Sequence, residues 1–285
     1  MIKRILVPTD FSKHSHNAFK FAEELASQSN AEVHIYHVIE APSASYSEGS
    51  FNAEGQIETS GSHEEIVFTK SLVSKVKQKI HKLASEARHD HVKFHSHVEM
   101  GDVFKSIVGT AEDHDMDIMV IGTQGAQGLG EVLVGSTAEK LVRHSPIPVI
   151  AVKDDVDLSL RNIVFASEFN EDLSKVMPIV KQIQQLFGSK LHLVRINTPN
   201  DFHSTRTMKH MMEEFVKKYE IDNYTINTYS DIVEEDGIVY FAEDIDADMV
   251  IIPTHARKGL MHLLSGSIAE DVVNHAKRPV MTIKI

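Results

Sequence analysis

The 285-residue chain contains no cysteine. That excludes disulfides, Cys-ligated zinc and thiol chemistry, although it says little about compartment. It also lacks any run of about eighteen apolar residues, the least that a membrane-crossing helix needs. The first residues, MIKRILVPTDF, lack the long apolar stretch of a secretory signal. The expectation is a soluble, unexported, cytoplasmic protein with no membrane partner. Basic residues are the minority, since 29 Lys and Arg against 41 Asp and Glu give a formal charge of −12. Non-specific nucleic-acid binding requires Lys and Arg to neutralise phosphates, so no nucleic-acid partner is expected. Two phosphate-binding signatures are missing as well. GxxxxGK[ST] occurs nowhere, and the turn after the first apolar run has no GxGxxG, which argues against P-loop NTPases and nicotinamide enzymes. No nucleophile stands at a recognisable spacing from a base, so no catalytic residue is assigned.

Composition and length are sufficient for two cores, with 42% hydrophobic residues over the chain. The chain repeats itself. VHIYHV (Val33 to Val38) matches LHLVRI (Leu191 to Ile196) at an offset of 158, and ILVPTDFS matches IVFASEFN at the same offset. Farther along, GSTAEKLVRHSPIPVIAV matches GSIAEDVVNHAKRPVMTI at an offset of 131, so the first half carries 27 extra residues. These fall largely in the Ser/Gly/Glu-rich stretch Ala41 to Glu65, which has no periodicity and reads as a long loop. It follows the second apolar run and is expected to act as a lid. Two domains follow, 1–153 and 160–285, joined by the acidic segment Lys153 to Leu160. Within each half, short apolar runs alternate with helical patterns, which predicts an α/β fold with a doubly wound parallel sheet. In the first half the strands are expected near Ile5 to Val7, Val33 to Val38, Val92 to Val98, Ile118 to Ile121 and Val149 to Val152. Leu72, Val76, Ile80, Leu83 and Ala87 mark one helix stripe, and Ala18, Ala22, Leu25 and Ala26 another.

The segment GTQGAQGLGEVLVGST, Gly122 to Thr137, follows a buried-strand pattern and runs into an amphipathic helix. Glycine lets backbone N–H groups approach an anion closely. A helix start near Ser136 offers unpaired N–H groups and the positive end of the macrodipole. Gly122, Gly125, Gly135 and the hydroxyl pair Ser136 and Thr137 are therefore candidate phosphate contacts, against the alternative of an ordinary Gly-rich turn and cap. Their spacing, G-x2-G-x9-G-[ST], resembles the ATP-binding signature of the universal stress protein family.

That resemblance covers nearly the whole chain. It implies two tandem five-stranded sheets of strand order 3-2-1-4-5, with the ligand at the switch point between the first and fourth strands. It further implies that Asp10, after Ile5, Leu6 and Val7, contacts the adenosine, that Pro8 and Thr9 shape the turn beside it, and that Val38 holds adenine through its backbone. ATP is the implied cofactor, or ADP or AMP, with or without Mg. Lys140, one turn into the helix, is read as a solvated side chain. In the second half Pro253 and Ala256 replace the first two glycines, Glu168 stands in for Asp10, and only Gly266 and Ser267 remain. Proline has no N–H to give and a methyl crowds a close anion, so this half is expected to be degenerate. Arg257 and Lys258 nearby are read as exposed loop cations rather than as a second anion site.

Histidine is abundant, at 18. In HDHVKFHSH, His91, His95 and His97 would share one strand face, and three imidazoles can bind zinc. Residues two apart on one strand rarely converge on one ion, however, and polar side chains on an edge strand discourage unwanted pairing. His14 and His16, at the first helix start, are read as solvated; no metal is assigned. A phospho-receiver would need an isolated Asp after the third strand, where only Glu99 stands. The expected function is an ATP-binding stress-response switch whose halves form an intrachain pseudo-dimer, with homodimerisation also open. The alternatives are a nucleotide-independent, chaperone-like interaction protein with a remnant site, and a slow ATPase or phosphoryl-transfer enzyme.

Overall fold

The computed structural model describes residues 1–40, 63–123, 134–154, 159–254 and 268–285. Gly125, Ala256, Arg257, Lys258, Gly266, Ser267 and most of the Ala41 to Glu65 insert lie outside the described residues. The first half runs β1 (Arg4–Pro8), α1 (Lys13–Ser29), β2 (Glu32–Glu40), α2 (His63–Ser85), β3 (Lys93–Gly101), α3 (Val103–Asp113), β4 (Ile118–Gly122), α4 (Ser136–His144) and β5 (Val149–Val152). The second half repeats the order as β6 (Asn162–Ala166), α5 (Met177–Phe187), β7 (Lys190–Asn197), α6 (Thr205–Tyr219), β8 (Tyr224–Ser230), α7 (Glu234–Asp244), β9 (Met249–Thr254), α8 (Ile268–His275) and β10 (Val280–Lys284).

Each half has the expected strand order, but the two sheets are continuous. A single ten-stranded sheet runs β3-β2-β1-β4-β5-β10-β9-β6-β7-β8. All pairs within a half are parallel, as βαβ crossovers require. The junction between halves, β5 with β10, is antiparallel, with Val280, Met281 and Thr282 opposite Ala151, Ile150 and Val149. The apolar fifth strands thus pair with each other, and the outer edges are β3 and β8.

Strand alternation sends side chains to two layers. Ile5, Val7, Val33 and Ile35 face one core with Ala18, Ala22 and Leu25 of α1 and Val76, Ile80 and Leu83 of α2. Leu6, Tyr36, Met119 and Ile121 face the other, with Ile107 and Ala111 of α3 and Leu141 and Val142 of α4. Pseudo-symmetry extends to single hydrogen bonds. Asp117 accepts from the N–H groups of Lys3 and Arg4 at 2.7 and 2.9 Å, and Asp248 accepts from Arg161 and Asn162 at 2.7 and 2.8 Å. Both carboxylates anchor the start of a first strand beside the start of a fourth. Among the described residues no helix is long and apolar enough to cross a membrane.

Candidate functional site

The cleft forms where β1 and β4 part company. Their pairing covers only Ile5 with Ile118 and Leu6 with Met119, so their carboxyl ends splay, and crossovers leave the sheet to opposite faces there. Beyond Pro8 the chain turns through Thr9, Asp10 and Phe11, and Phe11 adopts a left-handed φ of 63°. Side chains hold this turn. Phe11 N–H donates to Thr9 Oγ1 at 3.0 Å, Ser12 N–H to Asp10 Oδ1 at 3.0 Å, and Thr9 Oγ1 to Ser15 Oγ at 3.1 Å. Ser12 then caps α1 by accepting from Ser15 N–H at 3.2 Å. Thr9 is buried, whereas Asp10 is exposed at the cleft mouth. Thr9 N–H donates to Tyr36 C=O at 2.8 Å, and His37 Nδ1–H donates to Thr9 C=O at 2.7 Å, binding the turn to β2. Strand pairing of β1 with β2 ends at Pro8 and Tyr36, so the β1-facing backbone edge of Val38 lies beyond the paired ladder.

Across the cleft, β4 ends at Gly122. The expectation gave this glycine to phosphate; the structure gives it a packing reason. A Cβ here would lie 2.5 Å from the His14 carbonyl carbon and 2.6 Å from Ser15 N. The strand end thus sits directly on the first turn of α1, and only hydrogen fits. The next residue, Thr123, is buried, and its Oγ1 has no hydrogen-bond partner among the described residues. Thr123 C=O accepts from Gly135 N–H at 2.7 Å, which closes the base of the glycine loop. Gly135 is the N-cap of α4, with φ −64° and ψ 146°, and makes no side-chain cap bond. Ser136 is therefore the first helical residue rather than the cap. Among the described residues no side chain caps the leading N–H groups of α4, including those of Ser136 and Thr137, the arrangement that suits an anion. Lys140 is exposed, as expected.

Pro8, Thr9, Asp10, Val38, Gly122, Gly135, Ser136 and Thr137 thus all lie at the carboxyl ends of β1, β2 and β4 or at the start of α4. Beside Thr9, a cavity of about 220 Å³ is lined by Phe11, Ser15, His16, Lys79, Leu83 and Glu86, with Lys79 Nζ 5.1 Å above the Phe11 ring.

The second half keeps the turn and sets a buried cation beside it. Phe169 repeats the left-handed φ, at 59°, and its N–H donates to Ser167 Oγ at 3.2 Å, as Phe11 does to Thr9. At the position of His37 stands Arg195, only 2% exposed. Its Nη1 donates to Glu168 C=O, and its Nη2 lies 2.7 Å from Asp201 Oδ2 and 3.3 Å from His203 Nδ1. Burial, with Glu168 close by, pushes the Glu234 carboxyl up to about 7. Pairing of β9 with β6 stops at Ile251, so Pro253 faces the cleft with no N–H to offer. Sequence reasoning missed this internal ion cluster because Arg195 is a lone arginine in an apolar strand, with partners supplied by two later segments.

The histidines also assort differently from the one-strand expectation. His91 precedes β3, and its Nε2 lies 3.2 Å from Ser27 Oγ. His14 and His16 lie in the first turn of α1, and His16 Nε2 is 3.7 Å from a Glu86 carboxylate. His95 and His97 instead meet His34 and Glu32 of the neighbouring strand, at the opposite end of the sheet from the cleft. Glu99 accepts from Tyr36 Oη and from Ser106 Oγ at 3.0 Å.

Comparison with known proteins agrees with this organisation. The model of the Universal stress protein family matches twice, over residues 1–153 and 160–284. Universal stress protein Slr1230 of Synechocystis is 21% identical over 296 residues, covering 99% of this chain and all of its own length. Universal stress protein MJ0531 of Methanocaldococcus jannaschii is 31% identical over 153 residues, covering 54% of this chain and 83% of its own. Among solved structures, a universal stress protein from Archaeoglobus fulgidus shares the fold, with a TM-score of 0.71 at 20% identity over 99% of this chain and 98% of its own. With two matched units, a doubly wound sheet in each and their fifth strands joined, the chain belongs to the universal stress protein family.

Proposed function

We propose that the first half binds one adenine nucleotide, ATP or its di- or monophosphate, and that the second half is its structural partner. The observation that carries this reading is a difference between the halves, among the described residues, at the carboxyl ends of their strands. In the first half the strand ends splay beside an exposed Asp10, a buried Thr123 hydroxyl and the uncapped start of α4. In the second, buried Arg195 stands at the position of His37 and bonds to Glu168 C=O and to Asp201. The chemistry fits a nucleotide laid across the cleft. Asp10 accepts hydrogen bonds well and repels phosphate, so it suits the ribose end, with the backbone of Val38 beside the base. The N–H groups and hydroxyls of Ser136 and Thr137, with Gly125 in the loop, suit the phosphates. Any magnesium ion would arrive on the phosphates themselves.

Among the described residues of the cleft none is placed as a water-activating base, and the reading favoured is a nucleotide-dependent switch rather than a turnover enzyme. Calorimetry with ATP on the full chain should give about one site. Gly125→Val should abolish it without altering the melting temperature, because a branched side chain blocks backbone approach. Two sites of similar affinity would refute the asymmetry. Absence of nucleotide binding would favour the chaperone-like alternative, and phosphate release over many turnovers would favour the enzyme.

A further inference from the structure

At the amino-terminal ends of β2 and β3, on the face covered by α3, a carboxylate and several imidazoles meet across the strand pair. Parallel register places His34 opposite His95 and Tyr36 opposite His97, with Glu32 opposite Lys93. The His34 ring stacks on His95 at 4.6 Å and on His97 at 5.2 Å between centroids, and His114, at the end of α3, lies 5.7 Å from His97. Among the described residues, one ligand atom each from Glu32, His34 and His95 falls within 4.8 Å of the others.

His34 is the informative member. It is 9% exposed; its Nδ1 lies 3.0 Å from His97 Nε2, and its Nε2 is buried without a hydrogen-bond partner among the described residues. Whichever nitrogen carries the proton shared with His97, Nε2 is left unsatisfied, as a bare lone pair or as an N–H without an acceptor. A group so stranded is costly to keep buried. A metal ion on the lone pair removes that cost, and His34 Nδ1–H donating to His97 fixes the tautomer that exposes it. The other two groups are reachable from solvent, with the His95 side chain 43% and the Glu32 side chain 36% exposed. Glu32 Oε2 already lies 3.0 Å from His95 Nε2, while Lys93 Nζ, 3.1 Å from Glu32 Oε1, is the cation now sharing that carboxylate.

We propose that Glu32, His34 and His95 hold a divalent transition-metal ion of the zinc type, with His97 as the residue that positions His34. Two imidazoles and a carboxylate suit zinc and its neighbours rather than calcium or magnesium, and three protein ligands leave a fourth position for water. The ion would clip edge strand β3 to β2 at the end of the sheet away from the cleft, so it neither needs nor blocks a nucleotide.

The test uses the untagged full chain, stripped with a chelator and titrated with zinc by calorimetry and with cobalt by visible absorption. The expected result is one tight zinc site per chain and the intense cobalt bands of four-coordinate geometry. His95→Ala and Glu32→Gln, both at part-exposed positions, should keep the wild-type circular dichroism and lose the site. His97→Ala should weaken it by about 10–100-fold, and His91→Ala should leave it unchanged. Failure of the wild-type chain to take up zinc, or full-affinity binding retained by both His95→Ala and Glu32→Gln, would overturn the proposal.

Discussion

Gly122 shows how a single hydrogen atom can decide packing. Because its absent Cβ would meet α1 backbone rather than a movable side chain, Gly122→Ala forces the strand end and the helix apart. We expect a loss of about 1–3 kcal/mol, the usual cost of overpacking, measured by urea denaturation. A purely phosphate-contacting glycine would instead leave stability unchanged and lower affinity. Glu234 offers a second test. Its carboxyl titrates near 7 in the folded chain against an ordinary 4.5, because burial disfavours the charged form and Glu168 repels it. A raised folded value means that the group supports the fold fully below about pH 4.5, and that this support is lost as pH rises through 7. Glu234→Gln should therefore stabilise the protein by about 1–3 kcal/mol at mildly alkaline pH. The gain should vanish in acid, as thermal melts across pH would show. Asp10 and the glycine spacing were legible from sequence. The packing role of Gly122 was not, because it depends on which helix lies over the strand end.

At the scale of elements, α4 and α8 form the main helical contact across the halves. Arg143 and Glu270 pair side by side there, with Glu270 only 5% exposed. Pseudo-symmetry would place a second pair at Glu139 and the counterpart of Arg143, but that counterpart is Asn274. Asn274 serves the first half differently: its Oδ1 accepts from Val134 N–H at 3.2 Å, just before the Gly135 cap, and its C=O accepts from Lys153 Nζ. One helix of the second half thus props the residue that leads into the first half's α4. Arg143→Ala removes a cation paired with a carboxylate that is only 5% exposed and should cost about 1–3 kcal/mol, toward the lower end for buried pairs because Arg143 is half-exposed. A double-mutant cycle with Glu270→Gln would show coupling of similar size. Helices and strands themselves were legible from apolar periodicity, and α2 carries the expected stripe through Val76, Ile80 and Leu83. The salt bridge was not, since its partners stand 127 residues apart.

For the whole molecule, the joined sheet explains why a second half without the nucleotide signature keeps its framework. Strand β5 is buried along its length and has β4 on one side and β10 on the other. Removing residues 154–285 would expose an apolar edge strand, a template for pairing with other chains. Residues 1–153 expressed alone should dimerise or aggregate, which light scattering would detect. A well-behaved monomer would show that β5 tolerates solvent and that the second half has some other reason to persist. The outer edges need no such cover: β8 reads YTINTYS and β3 begins KFHSH, polar sequences that resist edge pairing.

By itself the sequence determined the α/β class and the internal repeat, while the strand order within each half and the grouping of Asp10, Gly122, Gly135 and Ser136 at one end of a sheet were implied by its resemblance to the universal stress protein family. The class and the repeat rest on local periodicity, which a chain cannot satisfy in many ways. Tertiary structure alone decided that two sheets become one, that Arg195 ties the Glu168 turn to Asp201, and that His34 rather than His91 joins His95 and His97. Each of these depends on register between segments distant in sequence. A shift of one residue in such a register turns every side chain to the other face, so no local pattern can specify it.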